Sequence, residues 1–214
     1  MRFGGGLEVV QTRAEHAEGL GELQKIVFPT LAPEELFEAQ HYRKHIELFP
    51  EGQFCVLDND RVVGMTSTVR MDFDFAHPDH TFAEVIQGGW LTSHDPAGPW
   101  LYGADLGAHP DYRKRGIARA LYAARQALVK RLGLRGQLTV GMPSGYGAVK
   151  ATMTMDQYYA ELAAGTRVDP TISAQLRIGF EPRGVVPGYI NDPVCDRYGI
   201  VLVLPVDHEV RFPP

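Results

Sequence analysis

The sequence predicts an α/β chain of the α+β kind, with a mixed central sheet and helices on both faces. Segments of strand and helix periodicity follow one another in the order β, α, α, β, β, β, α, β, α, β, β. Some neighbouring strands are joined as hairpins, which argues against a purely parallel, doubly wound sheet. The 214 residues suit one domain, 1–214, and the composition (44% hydrophobic, 22% charged) is ordinary for a globular chain with a sizeable core.

Residues 7–12 read as the first strand. Residues 14–28 and 33–49 read as helices separated at Pro29 and Pro33. In the second of these, Leu36, Phe37, Tyr42, Ile46 and Phe49 form an apolar stripe expected to pack the core. Residues 53–57 and 61–73 read as a hairpin turning at Asp58-Asn59-Asp60. The polar connection 74–98 is long enough to suggest a functional loop. A strand at 100–108 runs through His109-Pro110-Asp111 into an amphipathic helix at 112–133. Its face carries Ile117, Leu121, Ala124, Leu128 and Leu132, and Gly133 stops it. A strand at 138–142, a second long connection at 143–170 with a helical stretch near 155–164, a helix at 171–178 and strands at 181–186 and 198–204 complete the chain. Pro182 argues against the first of these last two strands.

The net charge of −5 disfavours broad nucleic-acid or anionic-membrane binding, although a local basic patch stays open. The two cysteines, Cys55 and Cys195, are too few for a disulfide framework and read as reduced thiols. The first residues lack the apolar run of a signal peptide, and no stretch approaches the ~20 apolar residues of a membrane span. A cytoplasmic location is the default expectation. The histidine pairs His41/His45 and His77/His80 lack further ligands to complete a metal set, so solvated histidines and no metal site are expected.

The informative segment is Arg113-Lys114-Arg115-Gly116-Ile117-Ala118, after a strand and at the opening of a helix. A helix start exposes unpaired N–H groups and its dipole favours anions. Gly116 and the small Ala118 let a phosphate approach the backbone, and Arg113, Lys114 and Arg115 add charge-assisted contacts. The spacing matches neither a P-loop nor a dinucleotide-binding fingerprint. The run Leu106-Gly107-Ala108-His109-Pro110-Asp111-Tyr112 through Ala118, followed by Leu121-Tyr122 and later by Gly179-Phe180, resembles the cofactor motif of the GNAT N-acetyltransferases. A narrower resemblance, in Leu91-Thr92-Ser93-His94-Asp95-Pro96, Trp100-Leu101-Tyr102-Gly103, Leu132-Gly133-Leu134-Arg135-Gly136 and the run 169–176, is to the GNAT domain found fused to nitrilase-like hydrolases. The 214 residues read as that domain alone, so hydrolase chemistry is not expected.

The resemblance implies a GNAT fold with a mostly antiparallel sheet and acetyl-CoA or another acyl-CoA as cofactor. It also implies that the backbone of Leu106, Gly107 and Ala108 holds the pantetheine arm and that the amides of residues 113–118 hold the pyrophosphate. The acceptor would be a small-molecule or protein amine. Such a transfer needs a base for the amine and a donor for the oxyanion. Asp105, on the strand beside the cofactor, and Glu84 and His94, in the 74–98 connection, are the base candidates. Many family members carry a proton-donating Tyr four residues before the Gly of Gly-Phe; here Gln175, which has no acidic proton to give, stands there, and Tyr158 or Tyr159 are the substitutes weighed, with a core or rim role expected for both. A non-catalytic acyl-CoA sensor, and a domain that binds no cofactor, stay open at this point. Acceptor choice is expected to lie in the connections 74–98 and 143–170.

Overall fold

The computed structural model describes residues 1–213. The chain runs β1 (Arg2–Phe3), β2 (Leu7–Gln11), α1 (Ala17–Val27), α2 (Ala39–Leu48), β3 (Phe54–Asp58), β4 (Arg61–Thr66), β5 (Thr68–Met71), α3 (Phe82–Ile86), β6 (Trp100–Gly103), β7 (Gly107–Ala108), α4 (Ile117–Arg131), β8 (Gly136–Gly141), α5 (Met155–Ala163), α6 (Ile172–Ile178), β9 (Glu181–Val186) and β10 (Gly199–Pro205). Two half-sheets form, in the orders β1-β2-β3-β4-β7 and β5-β6-β8-β10-β9. Every pairing is antiparallel except β6 with β8.

The halves meet where two expected strands each break in two. The segment 61–73 breaks at Ser67, and 100–108 breaks at Ala104–Leu106. Thr68 faces Gly103, but Met65 faces Gly107, so the β6/β7 side carries one extra residue. That is a bulge. Its two amides, of Ala104 and Asp105, both point at the Ser67 carbonyl, at 3.0 and 3.5 Å. The Asp105 carboxylate accepts the Ser67 N–H in return. The Thr66 hydroxyl donates to the Asp105 carbonyl at 2.7 Å. Beyond the bulge β7 stays with β4 and leaves β8, whose parallel pairing with the β6 side ends at Gly103–Thr139. A wedge opens between the parallel strands there.

Helices cover both faces. On β10, Ile200, Leu202 and Leu204 pack with Tyr122 of α4 and with α5 and α6. Val201 and Val203 point the other way, into the core shared by α1 and α2. This two-residue alternation in a strand buried on both sides explains its continuous apolar run. Pro182 is tolerated because β9 is an edge strand.

Several elements differ from expectation for local reasons. The helix expected at 33–49 is a 3-10 turn at Pro33–Glu35 followed by α2, which starts where Glu38 and His41 cap each other reciprocally. The apolar stripe holds: Phe37, Tyr42 and Phe49 are buried. The 74–98 connection contains α3, capped by Thr81 and Glu84. The helix expected at 112–133 begins at Ile117, because Gly116 lies at φ +86° and ends the preceding turn. A Cβ on Gly116 would meet Pro213 3.0 Å away, so this glycine serves the left-handed turn rather than clearing a path for a phosphate.

His41 and His45 are not solvated. His45 is 1% exposed, sits 5.0 Å from the Phe37 ring and 5.4 Å from the Tyr42 ring, and hydrogen-bonds the Gly89 carbonyl through Nε2 at 2.7 Å. Burial pulls its pKa down to about 4. No group of three or more His, Cys, Asp or Glu among the described residues is placed to hold a metal ion. Both thiols are buried and free, and burial pushes each up to about 12, so neither is poised as a nucleophile.

Two stability predictions follow from these positions. Between the ordinary histidine pKa of ~6.5 and about 4, the unfolded chain binds a proton at His45 that the fold refuses, so stability falls as pH falls. Denaturant unfolding should show wild type losing about 2 kcal/mol more than His45→Gln between pH 7 and 5; parallel losses would contradict the burial of a neutral ring. Gly116→Ala should lower stability by about 1–2 kcal/mol through its left-handed φ, read as a drop in Tm, and an unchanged Tm would refute that constraint.

Candidate functional site

The wedge between β7 and β8 leads into a cavity of about 540 Å³, within the size range of small-molecule sites. One end is lined by Leu106, Gly107, Ala108, Arg113, Ala118 and Tyr122, and by Ser144, Thr171 and Gln175 from beyond β8. There the strand edge freed by the bulge meets the start of α4. Thr81 caps α3 and Thr154 caps α5, whereas the α4 start has no side-chain cap. Its first amides are therefore free to meet an anion, and Arg113 shares the same cavity lining.

The other end is lined by Phe28, Leu31, Glu35, Phe82, Tyr189 and Asp192, from the α1–α2 and β9–β10 connections and α3. Glu35 is half-buried and accepts the Asn191 N–H at 3.0 Å; burial raises its pKa. Asp192 is 1% exposed and accepts the Thr30 hydroxyl at 3.0 Å and the Val194 N–H at 2.9 Å. Among the described residues neither carboxylate has a cation within 4.0 Å. Arg197 acts on Glu35 only from a distance, so Arg113 is the cation of the cavity lining and Glu35 and Asp192 are carboxylates at the end away from it.

Asp105 lies between the two ends. Burial raises its pKa, opposed by hydrogen bonds from Ser67 and Tyr42 and by the field of Arg125. Its Oδ2 accepts from Gln24 Nε2 at 2.8 Å and from the Tyr42 hydroxyl at 3.1 Å. This orientation leaves Gln24 Oε1 buried without a partner. Arg125 is 1% exposed, lies under Gly103, where a Cβ would collide with its guanidinium, and faces the Tyr122 ring at 5.2 Å.

The structure brings Asp105, Leu106, Gly107, Ala108, Arg113 and Ala118 together around one cavity. Lys114 is exposed with φ +63°. Arg115 turns toward the β1–β2 hairpin, donating to the Gly4 carbonyl at 3.3 Å and lying 4.9 Å over the Tyr112 ring. Ile117 is a core residue, so only its amide can serve a ligand. Glu84 and His94 lie outside the cavity lining. Glu84 is spent on Thr81, whose N–H and hydroxyl lower its pKa. His94 stacks on Phe49 at 4.7 Å and accepts the Arg70 N–H at Nδ1. Tyr158 donates to Asp169 at 2.8 Å, and neither it nor Tyr159 lines the cavity.

Sequence reasoning missed Gln24, Glu35, Tyr122, Tyr189 and Asp192. Tyr122 had a readable signal: it falls one helical turn after Ala118, on the ligand-facing side of the motif helix. Gln175, standing where a tyrosine was expected, donates to Tyr122 Oη at 3.0 Å. The α1–α2 and β9–β10 connections, more than 74–98 and 143–170, supply the anionic end.

Comparison with known proteins agrees with this architecture. Residues 17–151 match the acetyltransferase (GNAT) family. The chain is 33% identical over 186 residues to "Uncharacterized N-acetyltransferase YkwB" of Bacillus subtilis (strain 168), covering 86% of this chain and 82% of that one. It is 33% identical over 171 residues to "Probable hydrolase YhcX" of the same strain; that match covers 80% of this chain but spans only 33% of the relative's length. The solved structure titled "GphF GNAT-like decarboxylase in complex with isobutyryl-CoA" superposes with a TM-score of 0.73 at 19% identity, over 93% of this chain and 99% of that one, a likeness of fold. No helix among the described residues is long and apolar enough to cross a membrane. The chain belongs to the acetyltransferase (GNAT) family.

Proposed function

We propose that this chain is an N-acyltransferase, moving an acetyl or other short acyl group from acyl-CoA to a primary amine. The observation that carries the reading is one continuous cavity. It joins an uncapped, Arg-flanked helix start to a carboxylate-lined end through the strand wedge. The family membership, the relative named as an N-acetyltransferase and the acyl-CoA in the GphF complex support it.

In this reading the amides of residues 113–118, with Arg113 and Lys114, hold the pyrophosphate, and the backbone of Leu106–Ala108 holds the pantetheine arm. Bound acyl-CoA supplies the thioester acyl group. Glu35, Asp192 and Asp105 draw a cationic amine to the opposite end, and Gln24 Oε1 accepts a hydrogen bond from it. Asp105, its basicity raised by burial, is the carboxylate nearest the junction of the two ends. Tyr122 is the proton donor for the departing sulfur. Because Gln175 Nε2 donates to its oxygen, the phenol's own proton is left free.

Calorimetric titration with acetyl-CoA, with desulfo-CoA as control, should give saturable binding near one-to-one. Amines presented to the loaded protein should release free thiol. Tyr122→Phe should keep the affinity and lower kcat about 10²-fold. Binding without turnover across a broad amine panel would favour the sensor reading, and absence of binding to folded protein would overturn the cofactor assignment.

A further inference from the structure

The wall of the anionic end continues into a chain of hydrogen bonds that leads away from the cavity. Tyr189, which lines the cavity and is 3% exposed, has its hydroxyl 2.8 Å from that of Tyr102, a β6 residue with no exposure. The Tyr102 hydroxyl lies 3.0 Å from His80 Nε2. His80 is half-buried, and its Nδ1 lies 2.7 Å from the Pro78 carbonyl.

The partner at the far end sets the direction of every proton. A carbonyl only accepts, so Nδ1 of His80 carries hydrogen and Nε2 of the neutral ring is an acceptor. Tyr102 must then donate to Nε2, which leaves its oxygen to accept from Tyr189. The Tyr189 oxygen in turn keeps a lone pair for a donor. All three groups are thus aligned to pass a proton outward.

We infer that Tyr189, Tyr102 and His80 form a proton exit for the acceptor amine, with His80 as its terminal base. This rests on the acyl-transfer reading above. An N–H proton of the amine passes to Tyr189 Oη while Tyr189 gives its own to Tyr102 Oη and Tyr102 gives its own to His80 Nε2. The amine nitrogen keeps the electron pair, and the imidazolium releases the proton to water. Burial pushes both phenols well above the ordinary tyrosine range, so they relay the proton without ionising.

The charged and titratable surroundings suit this role. Glu84 on α3 lies near enough for a proton on His80 to act on its carboxylate, and Asp79 adjoins His80 in the chain. Asp74 and His77 pair with each other in the same loop, at 2.8 Å. The carboxylate of Glu35 acts on Tyr189 at the cavity end. The aromatic ring of Phe73 packs edge-on 5.4 Å from His80, which stays partly open to water. Glu84, a base candidate from the sequence, thereby stands beside the exit instead of in the cavity.

Two measurements test the inference. In resting protein, nitrogen-15 NMR of the ring should find His80 in the Nδ1–H tautomer; an Nε2–H tautomer with a bare Nδ1 overturns the relay even if the protein acylates amines. In steady-state assays, His80→Gln and Tyr102→Phe should lower kcat at least 10-fold at pH 7. KM for acetyl-CoA and Tm should stay near wild type. Both variants should also flatten the acidic limb of the pH–rate profile. A folded His80→Gln protein that keeps wild-type kcat and that limb overturns the proposal. Absence of turnover by wild type with every amine defeats the acyl-transfer reading, whereas the tautomer judges the geometry of the exit separately.

Discussion

The clasp between Ser67 and Asp105 is the contact on which the rest of the molecule depends. It trades strand hydrogen bonds for a bulge in which two amides share the Ser67 carbonyl and a carboxylate accepts the Ser67 N–H. Without it β6 and β7 would continue as one strand along β8, and the sheet would close. With it the parallel neighbours part after Gly103, and backbone groups that would have been paired line a cavity. The clasp places a buried carboxylate at the junction, where Gln24, Tyr42 and the field of Arg125 hold it. Removing a buried hydrogen-bonded charge would leave several donors unsatisfied at once.

The two ends of the cavity are chemically opposite, and that asymmetry gives the site its sense. Anion-seeking groups gather at the α4 start, where backbone geometry and Arg113 supply them. Carboxylates gather in the α1–α2 and β9–β10 connections, which the core of the sheet carries to the same opening from the other side. A thioester with a polyanionic handle and an amine with a positive charge match these ends. Tyr122 and Tyr189, one toward each end, are the groups to which we assign the two proton transfers such a reaction needs.

Much of the fold was legible because its signals are local. The helix-start motif at 113–118, the amphipathic face of α4 and the two-residue alternation of the strands are written in short windows. The breaks at Ser67 and at Ala104–Leu106 were not legible, since a bulge depends on a partner strand about forty residues away. The same limit hid the base candidates. Glu84 and His94 lie in a polar connection, but a capping contact and a stacking partner claim them. Glu35 ends a proline turn with no mark of its role, and Gln24 reads as one polar residue on an ordinary helix. His41 and His45 looked solvated because helical spacing says nothing of what packs above the helix.

The central claim is that the wedge between β7 and β8 and the start of α4 together receive the cofactor. Amide hydrogen exchange with and without desulfo-CoA tests it most directly, because each segment reports by itself. The account predicts slowed exchange at residues 106–108, 113–118 and 139–142, with the β1–β3 region unchanged. Protection confined to other segments, or none at saturating ligand, would contradict it.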